Sequence, residues 1–324
     1  MKAKPKIITD GKNLLPTSEI RKHYFLNRFV VIAYGRLGRP HDYIRIDRTK
    51  RVGRCHFCGT QKDRPVILQL PKKGRWHIKV IPNAFPAVSL ENKRAYGKQE
   101  IIIETPIHNQ EFSEMSKEWV RKTMDVYQGR VEKLLQNRQI NYVLVFKNDG
   151  PRSGASLSHS HSQIFASQIF PPDIAEELAG IARYEKKYYR CPFCDVVKEE
   201  SGGPREIFAD KNAIAFAPFA SEYKFEVWIM PRAHRRTFSG LTSAEKNSIG
   251  LFLKKILNRL DKRTFSYNFS ISNFRASNKK DYHFYIRIQP RANTWGGVEL
   301  GSGIIFNSFP PEKAPDFYRR DILE

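Results

Sequence analysis

Apolar residues recur at helical spacing in three stretches of the chain. Across residues 112–138, Met115, Trp119, Val120, Val126, Tyr127, Val131, Leu134 and Leu135 form a broad stripe, with Ser113 or Ser116 placed to cap it. Residues 174–188 predict a shorter helix. Thr242-Ser243-Ala244-Glu245 has the form of a capping box, and Leu251, Phe252, Leu253, Ile256, Leu257 and Leu260 continue a helical face behind it. Strand signals, with polar–apolar alternation or β-branched and aromatic enrichment, fall between these. Residues 29–34, 66–70, 77–81, 100–104, 142–148 and 163–166 make one set. Residues 206–209, 213–217, 225–230, 267–272 and 282–288 make another. Strands in succession with one long helix inserted predict antiparallel sheets with helices packed on a face, an α+β fold.

The two sets carry the same punctuation. The first has Cys55-His56-Phe57-Cys58, then Asn83-Ala84-Phe85-Pro86, a strand ending at Pro106-Ile107-His108, a helix, a strand and His159. The second has Cys191-Pro192-Phe193-Cys194, then Ala217-Pro218-Phe219, a strand ending at Pro231-Arg232-Ala233-His234, a helix, a strand and His283. Cys-x2-Cys, then His, then His recurs in one order around one series of elements, which predicts a duplicated α+β unit. The expected halves are residues 1–170 and 171–324.

A Cys-x2-Cys turn offers two thiolates to a tetrahedral metal such as Zn²⁺, at Zn–S distances of about 2.3 Å. The duplication supplies the remaining ligands: Cys55, Cys58, His108 and His159 in one site, Cys191, Cys194, His234 and His283 in the other. All four cysteines are consumed in pairs. The competing readings are reduced core thiols or a redox dithiol, and the βαβ setting of a thioredoxin-like dithiol is absent. Two Cys and two His fill a tetrahedron, so both sites read as structural zinc sites with no open position.

Composition adds a partner class. Lys and Arg number 56 against 33 Asp and Glu, a formal charge of +23. That excess fits a nucleotide, a sugar phosphate, nucleic acid or an acidic surface. No winged-helix, zinc-finger or RNA-motif pattern accompanies it, which sets nucleic acid aside. No apolar run approaches the roughly 20 residues of a membrane span, and no secretory signal is read, so the expected location is cytoplasmic, away from membranes. Cysteines there stay reduced.

His159, His161 and Gln163 alternate by two, so an extended chain projects them to one side. Upstream lies a Gly- and hydroxyl-rich loop, residues 148–156, able to bring backbone N–H groups to phosphate oxygens. An imidazole that attacks phosphorus needs one nitrogen free and the other held by an acceptor. Donors for the phosphoryl oxygens are at hand in Gln163, Asn148, Ser156 and nearby amides. The alternative is that His-x-His supplies two more metal ligands. Against it, the cysteine-linked site already takes one histidine of the pair, and glutamine is a poor metal ligand.

These residues resemble the galactose-1-phosphate uridylyltransferase family of the histidine-triad (HIT) superfamily. His159-Ser160-His161-Ser162-Gln163 stands where that branch has H-P-H-G-Q, and Val145-Phe146-Lys147-Asn148-Asp149-Gly150 is similar to its V-F-E-N-x-G. Residues 29–33 with Arg36 and Arg39-Pro40, the Cys55/Cys58 pair, residues 82–87 and 104–108, Pro231 to His234, and Gly296-Gly297-Val298-Glu299 follow in family order. The resemblance implies two tandem HIT-like halves, each an antiparallel β-sheet with packed helices. It implies that His161 is the nucleophile, with Gln163, Asn148 and Ser156 on the transferred phosphate. His159 would be a zinc ligand whose carbonyl orients that nucleophile. Asn83 would meet the base, Glu299 the sugar hydroxyls, and Arg36 and Arg39 the phosphates.

Three departures sit on this pattern. Ser160 and Ser162 replace Pro and Gly, as in the ADP-glucose phosphorylase-like subgroup. Ala84 follows Asn83 where uridylyltransferases carry Asp. Residues 295–299 lack the Lys-Phe and Tyr of the hexose-binding stretch but keep Glu299. The paired Cys-x2-Cys motifs also fit that subgroup better than bacterial enzymes with an iron site. The implied activity is ping-pong nucleotidyl transfer from a nucleotide sugar through His161, of the UDP-glucose–hexose-1-phosphate uridylyltransferase type of galactose metabolism. The alternative is adenylyl transfer to phosphate by an ADP-sugar or dinucleoside polyphosphate phosphorylase. A rival from another class is a zinc-stabilised nucleic-acid-binding protein. Partners implied are a nucleotide sugar, a sugar 1-phosphate or phosphate, and by analogy a second copy in a homodimer.

Overall fold

The computed structural model describes residues 18–38, 55–58, 65–275 and 282–320. In chain order these form β1 (Glu19–Lys22), β2 (Phe29–Ile32), β3 (Leu68–Leu70), β4 (Ile78–Pro82), β5 (Gly97–Ile103), α1 (Lys117–Leu135), β6 (Tyr142–Asp149) and β7 (His161–Ser167). Then follow α2 (Pro172–Tyr188), α3 (Pro192–Glu200), β8 (Glu206–Ala209), β9 (Ala213–Phe216), β10 (Val227–Pro231), α4 (Ser243–Lys262), β11 (Tyr267–Phe274) and β12 (Ile286–Pro290). α5 (Gly297–Ser302), β13 (Ile305–Asn307) and α6 (Ala314–Arg319) complete the described chain.

The fold is α+β and the repeat is visible in its topology. The first set of strands is ordered β3-β4-β5-β7-β6 and the second β8-β9-β10-β12-β11, the same arrangement twice. The two sets are not separate sheets. β6 and β11 pair antiparallel over eight residues, from Tyr142↔Phe274 to Asp149↔Tyr267, and fuse the halves into one ten-stranded sheet. An eight-residue strand left at an edge exposes a row of unpaired backbone groups, and this pairing removes two such edges at once. A small second sheet joins β1 and β2 to β13.

Alternation along β6 divides the core. Val143 and Val145 face α1 and α4 in the main cluster, whereas Tyr142 and Leu144 face α2 and α3 on the opposite side. Ser116 caps α1 by accepting from the Trp119 N–H at 3.2 Å. The Thr242–Glu245 capping box starts α4. On the first-half side of the α2/α3 face, Phe57, Ile81 and Ile103 make a small cluster with Ile101 and Leu157.

β1, β13, α5 and α6 are not among the elements read from the sequence, and the surroundings of the second Cys-x2-Cys motif also differ from that reading. α3 begins inside the second Cys-x2-Cys motif: Cys191 is its N-cap, Cys194 lies in its first turn, and Pro192 sits at the start where no N–H is needed. Residues 282–285 are not strand: the Phe284 N–H donates to the Arg235 carbonyl at 2.6 Å, and the bend delivers His283 to the cysteines. No helix among the described residues is long and apolar enough to cross a membrane.

Candidate active site and metal centres

The turn at residues 55–58 brings its cysteines to two distant histidines. Cys58 Sγ lies 3.2 Å from both His108 Nδ1 and His159 Nδ1, and Cys55 Sγ lies 3.6 Å from His159 Nδ1. The ligand atoms of all four residues fall within 4.8 Å of one another, as do those of Cys191, Cys194, His234 and His283. Cys194 Sγ is 3.3 Å from His234 Nδ1 and 3.7 Å from His283 Nδ1.

The tautomers fit a metal. His159 Nε2 lies 2.7 Å from the Thr105 carbonyl and His283 Nε2 lies 3.2 Å from the Pro231 carbonyl. A carbonyl only accepts, so each Nε2 carries the hydrogen and each Nδ1 turns its lone pair to the thiols. Desolvation, then its hydrogen bond with Cys55, pushes the Cys58 thiol up to about 11. Both four-residue groups are able to hold a metal ion.

His161 opens β7, two residues beyond its metal-facing neighbour. It is 5% exposed, and Phe57 packs against its ring edge-on with centroids 5.2 Å apart. Nδ1 lies 2.8 Å from the backbone carbonyl of His159. Again the carbonyl fixes the hydrogen on Nδ1, which leaves the Nε2 lone pair free. Burial, then the charge of Lys147, holds the imidazole below the usual histidine pKa, so it is neutral at pH 7. Neutral, oriented and unprotonated at Nε2, it has the form of a nucleophile. Gln163 follows two residues along the strand on the same face, half-buried.

Behind the strand lies a charged network that sequence reasoning did not find. Lys147 is 1% exposed and Glu104 fully buried. The Lys147 ammonium donates to Glu104 Oε2 and Ser160 Oγ, both at 2.8 Å, and to the His161 carbonyl at 3.3 Å. Ser160 Oγ donates to Glu104 Oε2 at 2.8 Å, Tyr127 Oη to Glu104 Oε1 at 2.5 Å, and Ser162 Oγ also donates to Oε1. Burial raises the Glu104 carboxyl, but Lys147 and then the hydroxyl donors outweigh it and hold it below the ordinary range. The available signal was alternation: Lys147 shares a side of β6 with Val143 and Val145, so a charge on that side had to be paired.

The other residues named from sequence divide into groups. Asn148, at the end of β6, receives a hydrogen bond on Oδ1 from Asn268 Nδ2 at 2.8 Å. Asn268 also donates to the Ser153 carbonyl at 2.9 Å, which fixes its amide as donor and leaves the Asn148 NH2 outside this contact. Ser156 is exposed on the loop before β7. Gly150 in that loop has φ +81°, and an added Cβ would stand 2.4 Å from Ser266 Oγ, so only glycine fits. Asn83 closes an Asx turn by accepting from the Phe85 N–H at 2.9 Å, and its N–H pairs with Gln99, which sits opposite Phe165 on β7. Arg36 and Glu299 come together elsewhere: they line one cavity of about 360 Å³ with Lys224 and Asn293, and His161 and Gln163 are not part of its lining. Arg39 lies outside the described residues.

The second half carries a changed copy of the first. Two residues beyond the metal-facing histidine stands Tyr285 where the first half has His161; four beyond stands Arg287 where it has Gln163. Tyr285 donates to Glu177 at 2.9 Å, and Arg287 is paired with Glu226 at 2.8 Å and Glu222 at 2.7 Å. That copy has no imidazole at the corresponding place, and carboxylates neutralise its guanidinium.

Residues 77–171 match the family described as galactose-1-phosphate uridyl transferase, N-terminal domain. The ADP-glucose phosphorylase of Arabidopsis thaliana is 29% identical over 91% of this chain and 90% of its own length. A galactose-1-phosphate uridylyltransferase of Thermotoga maritima is 26% identical over 74% of this chain and 80% of its own. A crystal structure of the Arabidopsis ADP-glucose phosphorylase with bound ADP-glucose superposes with TM-score 0.84 at 28% identity, covering 94% of this chain and all of that one. A uridylyltransferase structure superposes with TM-score 0.73 at 25% identity, covering 92% and 96%.

Proposed function

The chain is a relative of the galactose-1-phosphate uridylyltransferases and of ADP-glucose phosphorylase, and from that premise we propose that it is a nucleotidyltransferase acting on nucleotide sugars through a covalent bond to His161. The observation that carries the reading is the His161 Nδ1–H donated to the His159 carbonyl at 2.8 Å, which leaves Nε2 as the attacking atom. Nε2 bonds to the α-phosphorus as the bridging P–O bond breaks, and a sugar 1-phosphate leaves with the electron pair. A second phosphate oxygen then attacks the same phosphorus, and the P–N bond breaks to return neutral His161. Splitting one displacement into two predicts exchange with a single substrate present. Gln163, the Asn148 amide and Ser156 are donors for the oxygens on which charge builds. The family resemblance assigns Asn83 to the base and Arg36, Arg39 and Glu299 to phosphates and sugar, although the cavity of Arg36 and Glu299 does not include His161 or Gln163.

The acceptor and base follow the stronger kinship. The ADP-glucose phosphorylase matches a larger share of this chain than the Thermotoga maritima uridylyltransferase, and Ala84, Ser160 and Ser162 lean the same way, which supports an adenine nucleotide sugar with inorganic phosphate as acceptor. The uridylyl reading, with a hexose 1-phosphate acceptor, is supported by the retained Glu299 in its cavity with Arg36. Zn²⁺ would be held by Cys55, Cys58, His108 and His159, and by Cys191, Cys194, His234 and His283, as a structural cross-link that anchors the loop before His161. The working unit is a cytoplasmic homodimer of chains with halves 1–170 and 171–324, in which reduced cysteines remain available to metal.

Intact-mass spectrometry of the protein with UDP-glucose and with ADP-glucose tests the proposal. Addition of a uridylyl or adenylyl mass identifies the chemistry and the base together. An unchanged mass with both, on protein carrying its metal, overturns it. Binding to nucleic acid that weakens steeply with salt and survives His161→Ala would favour the rival class instead.

A further inference from the structure

We propose that the buried Glu104–Lys147 pair, with Ser160, Ser162 and Tyr127, is the device that positions His161, standing in for the rigidity of a Pro–Gly frame. The inference rests on the transfer reading above. In the H-P-H-G-Q pattern, proline fixes the backbone before the nucleophile and glycine permits a close turn after it. This chain has serine at both places and lysine where the pattern V-F-E-N-x-G has glutamate. All three substituted side chains converge on one carboxylate, that of Glu104.

The geometry explains how a grip on one side aims an atom on the other. In an extended strand Ser160 and Ser162 point away from the side to which His161 and Gln163 point. Their hydroxyls bond to the two oxygens of Glu104, one each, so the backbone on both sides of His161 is tied to a single rigid group. Lys147 closes the loop by donating to Glu104, to Ser160 and to the carbonyl of His161 itself. All three of its hydrogens are used. Tyr127 from α1 anchors the carboxylate to the helix layer. With the peptide held, the His159 carbonyl stays where it accepts from His161 Nδ1, and Nε2 stays in line. None of these side chains belongs to a metal group. Glu104, Lys147, Ser160, Ser162 and Tyr127 are therefore positioning residues.

The test compares wild type with Ser160→Ala, Ser162→Ala and the neutral pair Glu104→Gln/Lys147→Met, which leaves no lone buried charge. The readouts are the single-turnover rate of covalent labelling by ADP-glucose or UDP-glucose, its half-saturating concentration, metal content, and the 15N shifts of His161. We expect labelling slower by about 10- to 100-fold, the usual cost of a lost orienting shell, with half-saturation and metal content held. The His161 15N shifts should move from the Nδ1–H form to a mixture. Adding Ser160→Pro/Ser162→Gly to the neutral pair should restore most of the rate. A rate per folded molecule that equals wild type, with only thermal stability reduced, overturns the proposal. If wild type itself takes no label, the transfer reading has failed; unchanged 15N shifts in the variants then overturn positioning as well, and a changed tautomer upholds it.

Discussion

The backbone carbonyl of His159 sits 2.8 Å from Nδ1 of His161, so a residue that turns its ring toward a metal group also sets the tautomer of its neighbour but one. A peptide carbonyl has no hydrogen to give, and this single contact decides which imidazole nitrogen keeps its lone pair.

His161→Ala should therefore abolish covalent labelling and reduce turnover by roughly 10⁴-fold or more, as loss of a nucleophile does. Its fold and metal content should persist, because the ring bears no metal-facing role. Intact mass, steady-state rates and elemental analysis check this together.

The metal groups should separate by consequence. On the proposed zinc binding, Cys55→Ser and Cys191→Ser should each lower the zinc content by one ion per chain and the melting temperature by roughly 10 °C, the scale of a lost structural metal. Only Cys55→Ser should also strip labelling activity at temperatures where the variant is folded, since its group includes His159. Equal activity losses in both variants would argue against that division.

Asn268 reaches from β11 to fix the amide of Asn148 and the Ser153 carbonyl. Asn268→Ala should slow the transfer step by about tenfold, a modest misplacement cost, with metal content unchanged. Single-turnover labelling reads it. An unaltered rate would mean that Asn148 needs no partner from the second half.

Glu177 gives a pH signature unconnected with the chemistry. It is buried, and desolvation pushes its carboxyl from 4.5 up to about 7, against the pull of Tyr285, Arg287 and Arg28. A raised folded-state pKa means that the native protein binds the extra proton. Stability from this group is complete below pH 4.5 and is lost as pH rises through 7, a difference of about 3 kcal/mol. Glu177→Gln should flatten that loss, so its advantage over wild type grows across pH 4.5–7 in urea melts and then levels off.

The parts of the molecule legible in sequence are those with short, directional signals. The Thr242 capping box, the stripe of α1 and the His-x-His-x-Gln alternation each depend on neighbours a few residues apart. The Cys-x2-Cys pairs found their histidines because the repeat supplied a second copy to align. What stayed hidden depends on contacts across the sheet. Nothing local says that Glu104 at the end of one strand meets Lys147 on another, or that β6 and β11 share an edge. α3 was masked by its own start, because a proline after cysteine reads as a metal turn as readily as a first helical turn.

The seam between β6 and β11 bears on how such a molecule could come to be lopsided. Two copies of a unit that meet along a common edge are bound by backbone, and backbone is indifferent to which side chains a strand carries. One copy can then trade an imidazole for a phenol and a glutamine for an arginine, as at Tyr285 and Arg287, and still pair along the whole length of its partner's β6. Asn268 shows the retired copy still in service, steadying Asn148 across the join. Symmetry here survives as carpentry after it has lapsed as chemistry.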